Sequence, residues 1–474
     1  MMSNTMTPSE IASLRKAHLE FKNLKLPSKR PMDDRDLHGF LQGEGLIETS
    51  INLRLEAVSG FTRAGMLALS QLAGDLRSRS GLGARSVSRQ SLAKALAQLA
   101  IASWAERPIG PLTDRELAEF DEKISAWFAS QDLVRTHYIP CTVNAWPTES
   151  FAIGPVHFYA FNEIPIEDLG LKREDVWPVG EGAMSSLAEI YIGDLLRIAE
   201  MRNAGMIAEV SIPGREKTQS NLTADIAVDV ALAIIQLLTP PGMFKRASRA
   251  TSRAAPVWWA RLSAADGTVS PNSQNDEPGR AFGPGALERT LAQFAPAVES
   301  MGSRLQSYID GSGVRPALDE TWCNAAYWYH EAVAEPLDTV AIAKFETTIE
   351  VLFRSENSSG SKKRLLQGLE AFFGKRKDDD VGGITADQLA ASIVTSRSRV
   401  LHGTWPTLHT ELPDGKGGVT VSIATAEQLA RLLLIAFSEA VDVYGAASAG
   451  DDTVEALLDW RLQQSAPSVV PPSA

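Results

Sequence analysis

The sequence predicts a mainly α-helical protein with a small mixed α/β region in its middle and a helical bundle at its C-terminal end. Three observations carry this prediction. Residues 1–135 contain successive stretches with helical apolar spacing, two of which open on capping signals. At about residue 136 the texture changes to aromatic and β-branched runs broken by Pro and Gly, the pattern of short strands. From 286 onward helical spacing returns in closely linked segments, as a bundle requires. The expected division is therefore a helical region at 1–135, a mixed region at 136–285 closed by a flexible loop, a helical region at 286–465, and a disordered tail at 466–474.

Each element has its local reason. Thr7 and Pro8 stand as N-cap and first helical residue ahead of acidic Glu10, and Thr113 with Glu116 forms a T-x-x-E capping box. Between them, "FTRAGMLALSQLAGDL" and "SLAKALAQLAIASWAE" are Ala- and Leu-rich. "THYIPCTVNAW", "SFAIGPVHFYAFN", "MIAEVSIPG" and "APVWWARLSAADG" read as strands, interleaved with helices at 183–205 and from Ser220 to Leu238. The polar stretch 267–285 reads as a loop. Beyond it, "ALERTLAQFAPAVESMGSRLQSYID" and the segments after it read as helices.

Composition narrows the function classes. The 474 residues carry a formal net charge of −12, which argues against a surface coated for duplex DNA but leaves room for a local basic groove. Two cysteines, Cys141 and Cys323, with no CxxC pair, read as small buried hydrophobes in a reducing compartment. The start lacks the apolar core of a signal peptide, and the run 226–238 is shorter than the ~20 apolar residues a membrane span needs, so a cytoplasmic protein without membrane attachment is expected. No phosphate-loop, dinucleotide or HExxH motif is present, and neither metal nor cofactor is expected. His157 in its strand and Tyr329-His330-Glu331 in an aromatic helix read as structural, and the basic stretch 243–253 reads as a surface linker.

One helix holds an anomaly. Thr385 and Gln388 form a T-x-x-Q capping box at its start, Ile384 and Leu389 suit a hydrophobic staple, and Gly403 suits a left-handed position after its end. Leu389, Ile393, Val400 and Leu401 fall on one apolar face, and Arg397 falls inside that face. An unpaired guanidinium in an apolar seam costs several kcal/mol, so Arg397 needs a partner. A carboxylate such as Glu350, or water reached by the long stem, would be a structural answer, and His402 could simply complement the helix dipole. The R-x4-H spacing alone is weak.

The surrounding residues add to it. "WCNAAYWYHEAV", "TTIEVLF" with Glu350, "KKRLLQGLEAFFG" and "RSRVLHG" together resemble the Apea-like branch of the HEPN family, over residues 318–403 of a domain expected to run to about 465. The resemblance implies a helical bundle that dimerises through the motif helices and, in many members, a metal-independent endoribonuclease. It also implies a role in antiviral defence or toxin-like growth arrest, with the N-terminal region as sensor or regulator of a phage-derived or protein trigger. It maps the catalytic pair onto Arg397 and His402, with Glu350 as support. On a straight helix, positions five apart point about 140° away from each other, so two copies meeting across a two-fold axis would build one composite cleft. His402 would act as base or acid and Arg397 would hold the phosphate, with Ser398 and Arg399 as secondary contacts. Serine at 398 departs from the more frequent residue of the family, which leaves a non-catalytic dimerisation or RNA- or protein-binding module as the alternative. Lys362, Lys363 and Arg364, with Lys375, Arg376 and Lys377, are the densest basic clusters of the region: either a solvated face or a rim that draws in the RNA backbone.

Overall fold

The computed structural model describes residues 6–25, 34–53, 57–80, 86–107, 110–160, 163–172, 187–250, 258–265, 268–355, 358–403, 422–447 and 450–465. The expected tail at 466–474 lies outside the described residues. The chain divides into two compact units, residues 1–135 with 212–223, and residues 136–211 with 224–474.

In the first unit, α1 (Pro8–Leu19) starts on the expected Thr7 cap, with Glu10 closing the box from the third helical position. Helix α2 is Asp34–Gly43, α3 is Arg63–Ser80, α4 is Arg89–Trp104, and α5 (Asp114–Gln131) begins on the Thr113–Glu116 box. This region is not purely helical as expected. Strands β1 (Phe21–Lys25), β2 (Leu46–Leu53) and β3 (Ala57–Thr62) form an antiparallel sheet in the order β1-β3-β2. The residues of β1 looked like a continuation of α1 because their partners, Ala57–Phe61, lie far along the chain. Leu69, Leu72, Leu96, Phe61 and Trp104 fill the core, with the Trp104 and Phe120 rings stacked at 5.7 Å.

The second unit opens with a five-stranded sheet in the order β5-β6-β7-β4-β8, made of β4 (Arg135–Thr142), β5 (Phe151–Ile153), β6 (Val156–Ala160), β7 (Met206–Ile212) and β8 (Ser248–Arg249). Helices α6 (Leu187–Met201) and α7 (Lys217–Leu238) belong to the same stretch of sequence. Helix α7 starts earlier than expected and is 22 residues long, enough by length and composition to cross a membrane, but 78% of its apolar window is buried inside the protein. The segment 267–285 is not a plain loop. Thr268–Asn275 forms β10, which pairs antiparallel with β9 (Trp258–Ala265), and a 3-10 turn follows at Arg280–Phe282.

The C-terminal helices are α8 (Ala286–Gln293), α9 (Ala295–Asp310), α10 (Pro316–Val333), α11 (Asp338–Leu352), α12 (Ser358–Phe373), α13 (Ala386–Leu401), α14 (Ile423–Ala446) and α15 (Val454–Ser465). Pro296, which has no N–H to donate, lies in the first turn of α9, and the single helix that the sequence suggested is divided there. Helix α11 packs against α10, α13 and α14, which makes it the centre of the bundle. Mainly helical architecture with small sheets is thus what this sequence builds.

The basic stretch at 243–253 is not a surface linker over its described part: Arg246 and Arg249 are sequestered in ion pairs. Arg249 grips Asp229 of α7 bidentately, at 2.7 and 2.8 Å, and reaches Asp225 at 2.9 Å. His330 of α10 sits against the same carboxylate at 3.7 Å and contacts the Gln236 side chain through Nδ1 at 3.1 Å. Burial lowers the His330 pKa, against the opposing pull of Asp229. This histidine is therefore structural, as its aromatic neighbourhood suggested. Cys141 and Cys323 are both buried thiols.

Candidate functional site at the end of a capped helix

Helix α13 begins and ends where its sequence dictates. Thr385 Oγ1 accepts from the Gln388 amide at 3.2 Å, and Gln388 Oε1 accepts from the Thr385 amide at 2.9 Å. His402 is the C-cap residue, its own amide donating to the Ser398 carbonyl at 3.0 Å, and Gly403 follows with φ of +67°. Leu389, Ile393 and Val400 are buried as expected, together with Ala386, Ala390 and Ser396. Leu401 is not: it is 65% exposed.

Arg397 finds its partners on α11. Its Nη1 donates to Glu350 Oε2, and its Nε lies 3.2 Å from Glu346 Oε2. Glu346 and Glu350 are four residues apart, one turn on the same helix face, where like charges repel unless a cation is placed between them. The Arg397 side chain stays 32% exposed, while the Glu346 side chain is 2% exposed. Ser361 of α12 donates to the other oxygen of Glu350 at 2.5 Å, so three helices meet at this carboxylate. Burial pushes the Glu346 carboxyl up to about 8, the charge of and hydrogen bond with Glu350 push the same way, and Arg397 pulls against them. At neutral pH the cluster therefore retains a proton on Glu346, and Glu350 makes the short contact with the guanidinium.

The structure brings Arg397 and Glu350 together and leaves His402 exposed at the same end of α13. Ser398 and Arg399 are half-buried in the last turn. The basic clusters do not converge on this end. Lys362 lies 2.9 Å from Asp387 in the first turn of α13, and Lys377 reaches the same carboxylate at 4.0 Å. The hydrogen bond from Lys362 holds the Asp387 carboxyl below its ordinary range. Asp387 is fifteen residues from His402, about 20 Å along the helix axis. Arg364 pairs with Glu455 at 2.5 Å, Arg376 with Glu370 at 3.4 Å, and Lys375 donates to the Asp380 carbonyl at 3.2 Å. Lys363 is exposed.

Glu346 is the member of the cluster that the sequence reading missed. Its signal was present in "KFETTIEVL", where two glutamates spaced by four on an otherwise apolar helix demand a cation from elsewhere. No family model, no curated protein and no solved structure matches this chain.

Proposed function

We propose that the C-terminal helical bundle is a metal-independent endoribonuclease of the HEPN type, active as a homodimer, in which Arg397 and His402 do the chemistry. The observation that supports it most is the placement of Arg397: a partly exposed arginine side chain held by Glu350, on the same helix end as an exposed histidine. In this reading a His402 side chain takes the proton of the RNA 2′-hydroxyl as that oxygen attacks phosphorus. A second His402, from the partner copy, gives a proton to the departing 5′-oxygen, leaving a 2′,3′-cyclic phosphate. Arg397 offsets the charge gathered on the phosphorane, with Glu350 fixing its orientation. The N-terminal region would then sense a trigger in defence or growth arrest. The test is cleavage of labelled RNA in EDTA by the parent protein, His402→Ala and Arg397→Lys. Loss of cleavage in His402→Ala is expected, and equal cleavage by parent and variant would remove the assignment.

A second reading is a non-catalytic dimerisation or RNA- or protein-binding module. It is favoured by charge balance: Arg397 is offset within its own chain by Glu350, and Lys362, Arg364, Arg376 and Lys377 face acidic partners too. Expression in a bacterial host separates the two readings. The nuclease arrests growth and His402→Ala relieves it, whereas the module is harmless in both forms.

A further inference from the structure

A concave site lies within the first unit and is independent of the nuclease reading. A cavity of about 520 Å³ opens where α1 and α4 end and β1 begins. It is lined by His18, Phe21, Asn23, Trp104 and Arg107, with Leu19 and Pro111 adding apolar surface. Trp104 is held by rings: it stacks on Phe120 at 5.7 Å and meets His18, Phe21 and Phe61 edge-on at 4.9, 5.7 and 6.0 Å. Arg107 pairs with Glu116 through Nε and Nη2, the latter at 2.9 Å, and donates to the Gly110 and Pro111 carbonyls at 2.7 Å. Its remaining N–H points to His18 Nε2 at 3.0 Å, so all five of its donors are in use. That contact fixes the histidine. A guanidinium only donates, so Nε2 accepts and the ring proton of neutral His18 sits on Nδ1. Burial and the charge of Arg107 lower the His18 pKa, against the opposing pull of Glu116, which keeps the ring neutral at neutral pH.

Neither His18 Nδ1 nor the Trp104 indole N–H meets an acceptor among the described residues. Neither is sealed off: both keep solvent-accessible surface on residues that line the cavity. Asn23 Oδ1, the one side-chain oxygen among the described lining residues, already accepts from Ser59 at 2.9 Å. The cavity therefore offers donors and calls for an acceptor. It offers no net charge: Arg107 is neutralised by Glu116, His18 is neutral, and α1 and α4 both end here with the negative poles of their dipoles. An anion gains no Coulomb attraction in such a site. An ammonium finds no free side-chain oxygen, and neither does the proton of a hydroxyl. A carbonyl oxygen on a flat ring can accept from both N–H groups and brings no donor of its own.

We propose that this cavity binds a flat, neutral carbonyl compound of the lactone or aryl-ketone class, its oxygen accepting from His18 Nδ1–H and Trp104 Nε1–H. Calorimetric titration of the full chain with coumarin and chromone tests it. Three compounds of similar size serve as counterparts: indole, which donates and has no carbonyl, 2-naphthoate, which is anionic, and tryptamine, which is cationic. Saturable binding of coumarin or chromone is expected, with each counterpart at least about tenfold weaker, the equivalent of one hydrogen bond. Trp104→Phe and His18→Leu each remove one N–H and should each weaken the carbonyl compound about tenfold. Circular dichroism establishes which variants are folded, and His18→Leu, at a half-buried position, carries the test where Trp104→Phe does not fold. No saturable binding of either carbonyl compound, parental affinity in a folded variant, or equal or tighter binding of any counterpart would each overturn the proposal.

Discussion

Replacing Glu346 by glutamine tests the account of how Arg397 is held. In the native protein the Glu346 carboxyl is raised from 4.5 to about 8, so it is protonated where the unfolded chain is ionised. Its contribution to stability is fully present below about pH 4.5 and is lost as pH rises towards 8, because over that interval the unfolded state releases a proton that the native state keeps. At about 1.4 kcal/mol per pH unit, the loss reaches up to about 5 kcal/mol, and the 2% exposure of the side chain leaves little solvent to screen it. Glutamine keeps the shape and has no proton to lose. Parent and Glu346→Gln should therefore be alike below about pH 4.5, and the variant should be the more stable above about pH 8. Hydrogen exchange of peptides covering α11 and α13, compared between the two proteins at each pH, reads this directly and cancels intrinsic exchange rates. A difference between them that stays constant from about pH 5 to about pH 9 would show that Glu346 is already ionised at the lower pH, and the proton-sharing account would fail.

Three further outcomes follow from other contacts. Asp229→Asn leaves Arg249 without its bidentate partner inside the second unit and should cost about 3–5 kcal/mol, read by urea unfolding. Gly302→Ala places a β-carbon 2.9 Å from the backbone of Gly154, a contact that cannot relax by turning a side chain; a loss of about 1–3 kcal/mol is expected, seen as a lower thermal midpoint. Thr385→Ala removes the cap of α13 and should cost about 1 kcal/mol, with faster hydrogen exchange confined to its first turn.

Helix ends were the most legible feature of this chain. The boxes at Thr7, Thr113 and Thr385 are closed by residues three positions away, so the information is local and survives into the structure unchanged. The strand at Phe21–Lys25 was hidden for the opposite reason: a strand is stabilised by a partner elsewhere, here Ala57–Phe61, and five residues with no loop signal before them read as more helix. Likewise Thr268–Asn275 has the composition of a loop and becomes a strand only because β9 lies alongside it.

The same division runs through the candidate site. The sequence by itself determined that α13 starts at Thr385, stops before Gly403, and carries a guanidinium on its apolar face one turn from a histidine, since periodicity and capping follow from neighbours in the chain. It named Glu350 as a partner for that charge, and left Glu346 unread. Only the packing of α11 against α13 decided that two carboxylates would share Arg397, that one would be buried deeply enough to keep its proton, and that Lys362 and Lys377 would be taken up at the far end of the helix by Asp387. Burial and charge pairing depend on what the rest of the chain brings alongside, and no local pattern fixes that.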